Sequence, residues 1–338
     1  MLVWMYGSAA TRPPSARTAF VDGLAWADYR PDIDVELSHH FGNRTPRQFR
    51  GDTATAICLR FTEAKGVADL AVNDHLDVDG VLALFALKFP ELAMGHRRTL
   101  MQAAEMGDFL CWGEQPAQEL YQGLSLFLAE TRGDPSVVAV RAMEKARSLL
   151  VPAPRPELAA GIKVLQRGVR LIDNGDVRRR TWGGRFVHYE IPFDLATPAA
   201  FKVPAPGEPL SDACLLWPHA RARLDRERIV LLTIGMKGGW AHELWYPGYC
   251  WADTPQSWRP PGLEEDGTFV HAGLAAALLR LQALETGEGT WTRAAKVAPG
   301  SSMGSRGFPV VAAFIKDGEP AASTIKPDQV AQVLSGAF

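Results

Sequence analysis

The chain has 338 residues, a formal net charge of −2, 47% hydrophobic residues and 22% charged ones. That length suits roughly two domains of about 150 residues each, and the composition is that of a folded chain, which excludes intrinsic disorder. The near-neutral charge leaves no electrostatic footprint for long duplex nucleic acid or an anionic lipid surface as partner, but it admits a small anionic substrate met by a few local basic groups.

In chain order, residues 1–19 read as a loose lead-in, and 19–26 and 33–37 as short strands. A polar loop, 39–52 (HHFGNRTPRQFRGD), leads into 53–61, which alternates well enough for a strand or a short helix. Residues 67–72 (VADLAV) form a compact apolar run expected as a buried strand, followed by 73–80 (NDHLDVDG) and an apolar segment, 81–89, stopped by Pro90 and expected as a helix. Residues 97–106, 117–130, 137–150 and 156–172 carry apolar side chains at three- and four-residue spacing, the mark of helices. Pro152, Pro154 and Pro156 suggest a hinge. Beyond residue 173, Gly, Pro, Trp and β-branched residues rise; 186–191, 229–234, 242–246 and 308–314 read as strands, 269–284 and 327–334 as helices. The expectation is an α/β fold with two domains: a parallel-sheet N-terminal domain with flanking helices over 1–175, and a smaller β-rich α+β substrate or cap domain over 176–338.

The four cysteines, Cys58, Cys111, Cys214 and Cys250, are scattered, with no CxxC pair, and read as buried free thiols in a reducing compartment. The first residues lack the pattern of a signal peptide, and the longest apolar runs fall far short of a membrane span. A cytoplasmic location with no membrane partner is expected.

The chemistry concentrates in 73–80. Asn73, Asp74, His75, Asp77 and Asp79 crowd between two apolar runs, at the strand-to-helix turn where open α/β sheets bind ligands. Were the chain extended there, His75, Asp77 and Asp79 would point to one side. One imidazole and two carboxylates suit Mn2+, Mg2+ or Zn2+, and Gly80 would let the backbone turn sharply. The plainer alternative is a solvated acidic turn capping a helix.

Residues 73–80, with the apolar segment VLALFAL after them, resemble the first motif of the DHH phosphoesterase superfamily. That group includes RecJ-type exonucleases, manganese-dependent inorganic pyrophosphatases and cyclic-dinucleotide phosphodiesterases. The resemblance covers about residues 67–110. It makes Asp77 and Asp79 the paired aspartates, His75 or Asn73 the preceding ligand and Asp108 the second motif. The implied metal ligands are His75, Asp77, Asp79 and Asp108, with Asp79 or Asp108 as bridge and Mn2+ as the cofactor. The third motif, Asp-His-His, does not occur. The nearest string, Ser38-His39-His40, lies upstream of the first motif; it is either a permuted equivalent or an ordinary loop pair. His39, His40 and His96 are the candidate catalytic proton carriers.

On the C-terminal side, the Gly/Ser-rich stretch 301–307 (SSMGSRG) offers Ser302 and Arg306 as substrate contacts, or is a plain surface loop. Residues 237–251 (KGGWAHELWYPGYCW) surround His242 with aromatics, as a stacking platform or as a sheet core. The basic run Arg178–Arg180 attracts an anion or is simply solvated. His188, His219 and His271 stand singly and read as structural. No GxSxG, P-loop, HExxH or GxGxxG signature occurs. The expected function is a metal-dependent hydrolase, a DHH-like phosphoesterase acting on a small phosphorylated compound or short nucleotide. The alternatives are hydrolysis of a non-phosphate bond in a specialised metabolite, and a non-catalytic binding protein.

Overall fold

The computed structural model describes residues 1–5, 17–25 and 29–338. Most of the expected lead-in, and Trp26 at the end of the first expected strand, lie outside the described residues. The chain divides into two compact units: unit 1 is Met1–Ile162 with Pro206–Pro209 and Ala252–Trp258, and unit 2 is Lys163–Ala205, Leu210–Trp251 and Arg259–Phe338. The sequence alone places the change at residue 175. Nothing in its composition marks the two short later segments that return to unit 1.

Unit 1 is built on a parallel sheet of four strands, β1 (Leu2–Met5), β2 (Thr18–Val21), β3 (Val35–Leu37) and β4 (Leu70–Asn73), in the order β1-β4-β2-β3. The lead-in thus begins with a strand. Register pairs Val21 with Leu37 and Phe20 with Val72, so the carboxyl ends of β2, β3 and β4 finish at one edge. β2 and β4 are buried throughout, as sheets covered on both faces require.

Residues 53–61 resolve as a helix, α1 (Ala54–Glu63), started by Thr53, whose side chain accepts from Ala56 N. This is a capping interaction that a strand would not use. The acidic motif does not stay extended. Asp77 caps α2 (Val78–Lys88), accepting from Gly80 N, and Asp79 lies in the first helical turn. The expected alternation of His75, Asp77 and Asp79 is therefore replaced by a strand-to-helix corner. Gly80 sits inside the helix rather than at a bend. α2 is buried on every side from Val78 to Ala86, which accounts for its continuous apolar sequence. Pro90 ends it and opens a short α3 (Pro90–Gly95) as its first residue. α4 (Arg97–Phe109), α5 (Gln115–Glu130) and α6 (Pro135–Leu150) complete the unit's helical layer, and α7 (Pro156–Asp173) follows.

Unit 2 is a seven-stranded sheet of β5 (Arg178–Trp182), β6 (Phe186–Ile191), β7 (Ile229–Met236), β8 (Gly239–Trp245), β9 (Thr290–Arg293), β12 (Val310–Lys316) and β13 (Glu319–Pro320). Its pairings are antiparallel except β6 with β7. β10 (Ser302–Met303) and β11 (Arg306–Gly307) form a separate small hairpin. Its helices are the greater part of α7, from Lys163 on, with α8 (Pro218–Asp225), α9 (Ala272–Leu284) and α10 (Pro327–Ser335). The fold is the expected mixed α/β class, a parallel sheet followed by a β-rich region. No helix among the described residues is long and apolar enough to cross a membrane.

Candidate metal centre

Three strand ends at the carboxyl edge of unit 1, those of β2, β3 and β4, each deliver a ligand-type side chain. Asp22 follows β2, His39 and His40 follow β3 after Ser38, and His75 follows β4 after Asp74. α2 adds Asp77 and Asp79 from its start, and the last turn of α4 adds Asp108. Two groups result, each with its donor atoms within 4.8 Å of one another: Asp22, His39, Asp79 and Asp108, all buried, and Asp22, His40 and His75, more open. Asp22 is common to both. The expected sharing residue was Asp79 or Asp108, but Asp22 holds the middle because β2 is flanked by both β3 and β4.

The distances describe a centre that closes around Asp22. Asp22 Oδ1 lies 3.2 Å from His39 Nε2 and 3.6 Å from His40 Nε2, and Asp22 Oδ2 lies 3.2 Å from His75 Nε2. His39 Nε2 is also 3.3 Å from Asp108 Oδ2 and 3.7 Å from Asp79 Oδ2, and His75 Nε2 is 3.3 Å from Asp77 Oδ2.

The imidazoles are held from behind. His39 Nδ1 meets the Asp52 carbonyl at 2.8 Å, and His75 Nδ1 meets Asp74 Oδ1 at 2.6 Å. Such outer partners accept a hydrogen bond from Nδ1–H and leave Nε2 as the ligating nitrogen. Asp52 is itself pinned, its carboxylate accepting from Gln256 N and Ser257 Oγ of the returning segment. Asp79 accepts from Ala54 N and Thr55 N at the start of α1, at 2.7 and 2.8 Å, a favourable place for a carboxylate.

Several donor atoms stay unsatisfied. Both carboxylate oxygens of Asp22, Asp108 Oδ2 and Asn73 Nδ2 are buried without a hydrogen-bond partner. Burying carboxylates this way is costly unless a cation balances them. The directions of the pKa shifts agree. Burial, with the Asp22 charge, pushes Asp79 up to about 6. Burial and the neighbouring Asp77, Asp79 and Asp22 carry Asp108 well above the carboxylate range. His39 rises to about 9, since Asp22 and Asp79 outweigh its burial. His75 is raised by Asp22, Asp74 and Asp77 against burial, and Asp22 falls well below its ordinary value because His75, His39 and His40 overcome its burial. The raised imidazoles and raised carboxylates both answer an excess of negative charge that a divalent cation would balance. The donor set of carboxylates and Nε2 atoms fits such a cation.

Residues 9–160 match a family of unknown function, DUF6687. No curated protein matches the chain. Among solved structures, it is similar to the pGpG-specific phosphodiesterase PggH from Vibrio cholerae, at 9% identity and a TM-score of 0.35, with 94% of this chain and 82% of that one covered. It is also similar to a DHH domain described as a member of the s1p family of ribosomal proteins, at 13% identity and a TM-score of 0.30. There 89% of this chain is covered, and it spans 62% of the other.

Of the residues expected from sequence, His39, His40, His75, Asp77, Asp79 and Asp108 come together. His96 does not join them. It sits at the start of α4 and lines a cavity of about 390 Å3 with Thr99, Gln115, Glu119 and Arg155. Two of the expected substrate contacts in unit 2, Arg306 and His242, are committed elsewhere. Arg306 is buried and donates to Glu243 Oε1 at 2.8 Å and to the Phe201 carbonyl at 2.6 Å. His242 is buried between Thr233 and the Ile325 carbonyl, and burial lowers its pKa to about 3. Ser302 lies exposed on the β10–β11 hairpin, beside internally bonded Arg306. Trp245, Tyr246 and Tyr249 are buried and so form core, not a stacking platform. Arg178, Arg179 and Arg180 are paired with Glu190, Asp225 and Asp328.

Sequence reasoning missed Asp22. Its one signal was the Asp-Gly pair at 22–23, which fell inside the strand expected over 19–26; the structure ends that strand at Val21, giving the same strand–acid–glycine order as the motif at 73–80.

Proposed function

We propose that this protein is a metal-dependent hydrolase whose centre binds one or two divalent cations, Mn2+ foremost, through Asp22, His39, His40, His75, Asp77, Asp79 and Asp108. The observation that carries the reading is Asp22: buried, with both oxygens unsatisfied and faced by three imidazole Nε2 atoms. The likeness of 73–80 to the first DHH motif favours phosphoester substrates, and the expected substrate is a small phosphorylated compound or short nucleotide.

The two groups divide the work by exposure. Asp22, His39, Asp79 and Asp108 are sealed, which suits a closed site that anchors a cation. His40 and His75 have side chains 28% and 35% exposed, which suits an open site where substrate and water exchange. A bound divalent cation supplies Lewis-acid charge for the phosphoryl oxygens and lowers the pKa of water toward ~7. The chain's own residues hold and orient. Asp22 joins the two groups, Asp74 and the Asp52 carbonyl fix the ring planes, and the α1 amides fix Asp79. An imidazole at the open edge that is not ligating can pass a proton to the leaving oxygen.

The test is elemental analysis and equilibrium dialysis of protein purified without chelator, alongside Asp22→Asn and Asp79→Asn, with a panel of phosphomonoesters and phosphodiesters in Mn2+. One to two equivalents of metal, lost in the variants together with turnover, is the expected result. Metal content unchanged in both variants overturns the metal centre. Metal binding without turnover anywhere on the panel overturns the phosphoesterase reading.

A further inference from the structure

Arg221, on α8 of unit 2, is 3% exposed. Its guanidinium carbon lies 4.2 Å from the centre of the Trp245 ring, a stack that fixes the guanidinium plane. Arg221 Nε and Nη1 are buried without a hydrogen-bond partner.

The two carboxylates in electrostatic reach are already taken. Asp225 accepts from Arg179 Nε and Nη2 at 2.7 and 2.6 Å and from the Tyr189 hydroxyl, and Arg228 Nε lies 3.4 Å away. Glu243 accepts from Arg306 Nη1 at 2.8 Å and from Trp245 Nε1 at 3.0 Å. Arg179, Arg221, Arg228 and Arg306 thus set four positive charges against two negative ones. Arg221 is the one with no ion pair among the described residues. Elsewhere in unit 2, His188, Thr233 and His242 satisfy one another in a chain of hydrogen bonds.

A lone buried guanidinium is a costly arrangement. It cannot be relieved by losing a proton, because a guanidinium stays charged at any physiological pH, although burial does push the Arg221 pKa down. What relieves it is an anion with oxygens placed for in-plane N–H donors.

We propose that Arg221, stacked on Trp245, anchors a binding site in unit 2 for a small oxyanion, the phosphate or carboxylate group of a ligand, and that this site does not use the Asp22 centre.

The test uses the full chain, stripped of metal by chelation and dialysed. Inorganic phosphate, acetate and chloride are titrated at matched ionic strength, with the melting temperature and calorimetric Kd as readouts. Ligand that binds only the folded state raises the melting temperature with its concentration. Phosphate or acetate is expected to give a saturable rise that chloride does not, and whichever binds more tightly identifies the oxyanion. Arg221→Lys, which keeps the charge but loses the planar donors, is expected to weaken Kd at least tenfold. Arg221→Met is expected to abolish the anion dependence while melting no lower than the anion-free wild type, because it removes an unbalanced charge. If Arg221→Met does not fold, Arg221→Lys decides. No oxyanion-specific stabilisation of the wild type, an unchanged Kd in Arg221→Lys, or phosphate binding that appears only once metal is restored overturns the proposal. The last outcome would leave the metal centre standing, and absence of metal would leave the Arg221 site standing.

Discussion

Unit 1 and unit 2 both bury histidines and carboxylates, and they treat them in opposite ways. In unit 2, His242 lies between Thr233 and the Ile325 carbonyl, and Glu243 joins Arg306 and Trp245 Nε1. In unit 1, Asp22, His39, His40, His75, Asp79 and Asp108 converge on one another, and Asp22 stays without a hydrogen bond. A buried polar group whose partners are supplied by the chain is architecture. One whose neighbours share its need for a counter-charge is waiting for a ligand. By the same criterion Arg221, a buried charge with two unsatisfied nitrogens, departs from that pattern inside unit 2.

The contrast makes Arg306 the place for the largest change in stability. Arg306→Met leaves Glu243 buried without its cation, and loss of one partner of such a pair costs about 3–5 kcal/mol. Urea unfolding is expected to show that loss with metal content unchanged. A fall in bound metal would break the separation of roles between the units. Asp74→Ala works the other way. It removes the carboxylate behind His75 Nδ1, and loss of such a partner weakens metal affinity by about 10–100-fold. Competition against a chelator measures it, and wild-type affinity would mean that Asp74 does not orient the ring.

Gly80→Ala sharpens the same point with a methyl group. A Cβ there would lie 2.4 Å from Asn73 Nδ2 and 2.9 Å from Asp22 Oδ2, so about 1–3 kcal/mol of overpacking strain is expected, together with weaker metal binding. Gly184, with nothing within 4 Å of its added Cβ, is the control, and its alanine variant should melt within the range of an ordinary surface change.

The smallest effect concerns acid. Burial pushes the Glu285 carboxyl up, but hydrogen bonds from Ser323, Thr324 and Gly287 override it and hold the pKa at about 2. A folded-state value below the unfolded one stabilises the protein above the unfolded pKa, and that contribution fades as pH falls toward 2. Glu285→Gln is therefore expected to lower the urea midpoint near neutrality and to narrow the difference between pH 6 and pH 3. A difference as wide as in the wild type would remove Glu285 from the acid response of unit 2.

The amino-acid pattern alone determined a good deal. The apolar spacing of 97–106, 117–130 and 137–150 marked α4, α5 and α6, because a helical stripe repeats within a few residues and needs no distant partner to be read. The acidic density of 73–80 marked half of the centre, and Asp108 was found through the family resemblance. The tertiary structure decided the rest. Residues 77–79 turn from loop into helix because Asp77 caps α2, and the extended alternation expected of them disappears. Asp22 and His39 reach His75 because parallel pairing of β2 with β3 and β4 lines up strands that end far apart in sequence, at Val21, Leu37 and Asn73. Arg306 and His242, chosen for their chemistry, turned out to be spent on Glu243 and Thr233. A side chain's type is written locally, but whether its hydrogen bonds are already satisfied depends on neighbours that only the folded chain supplies.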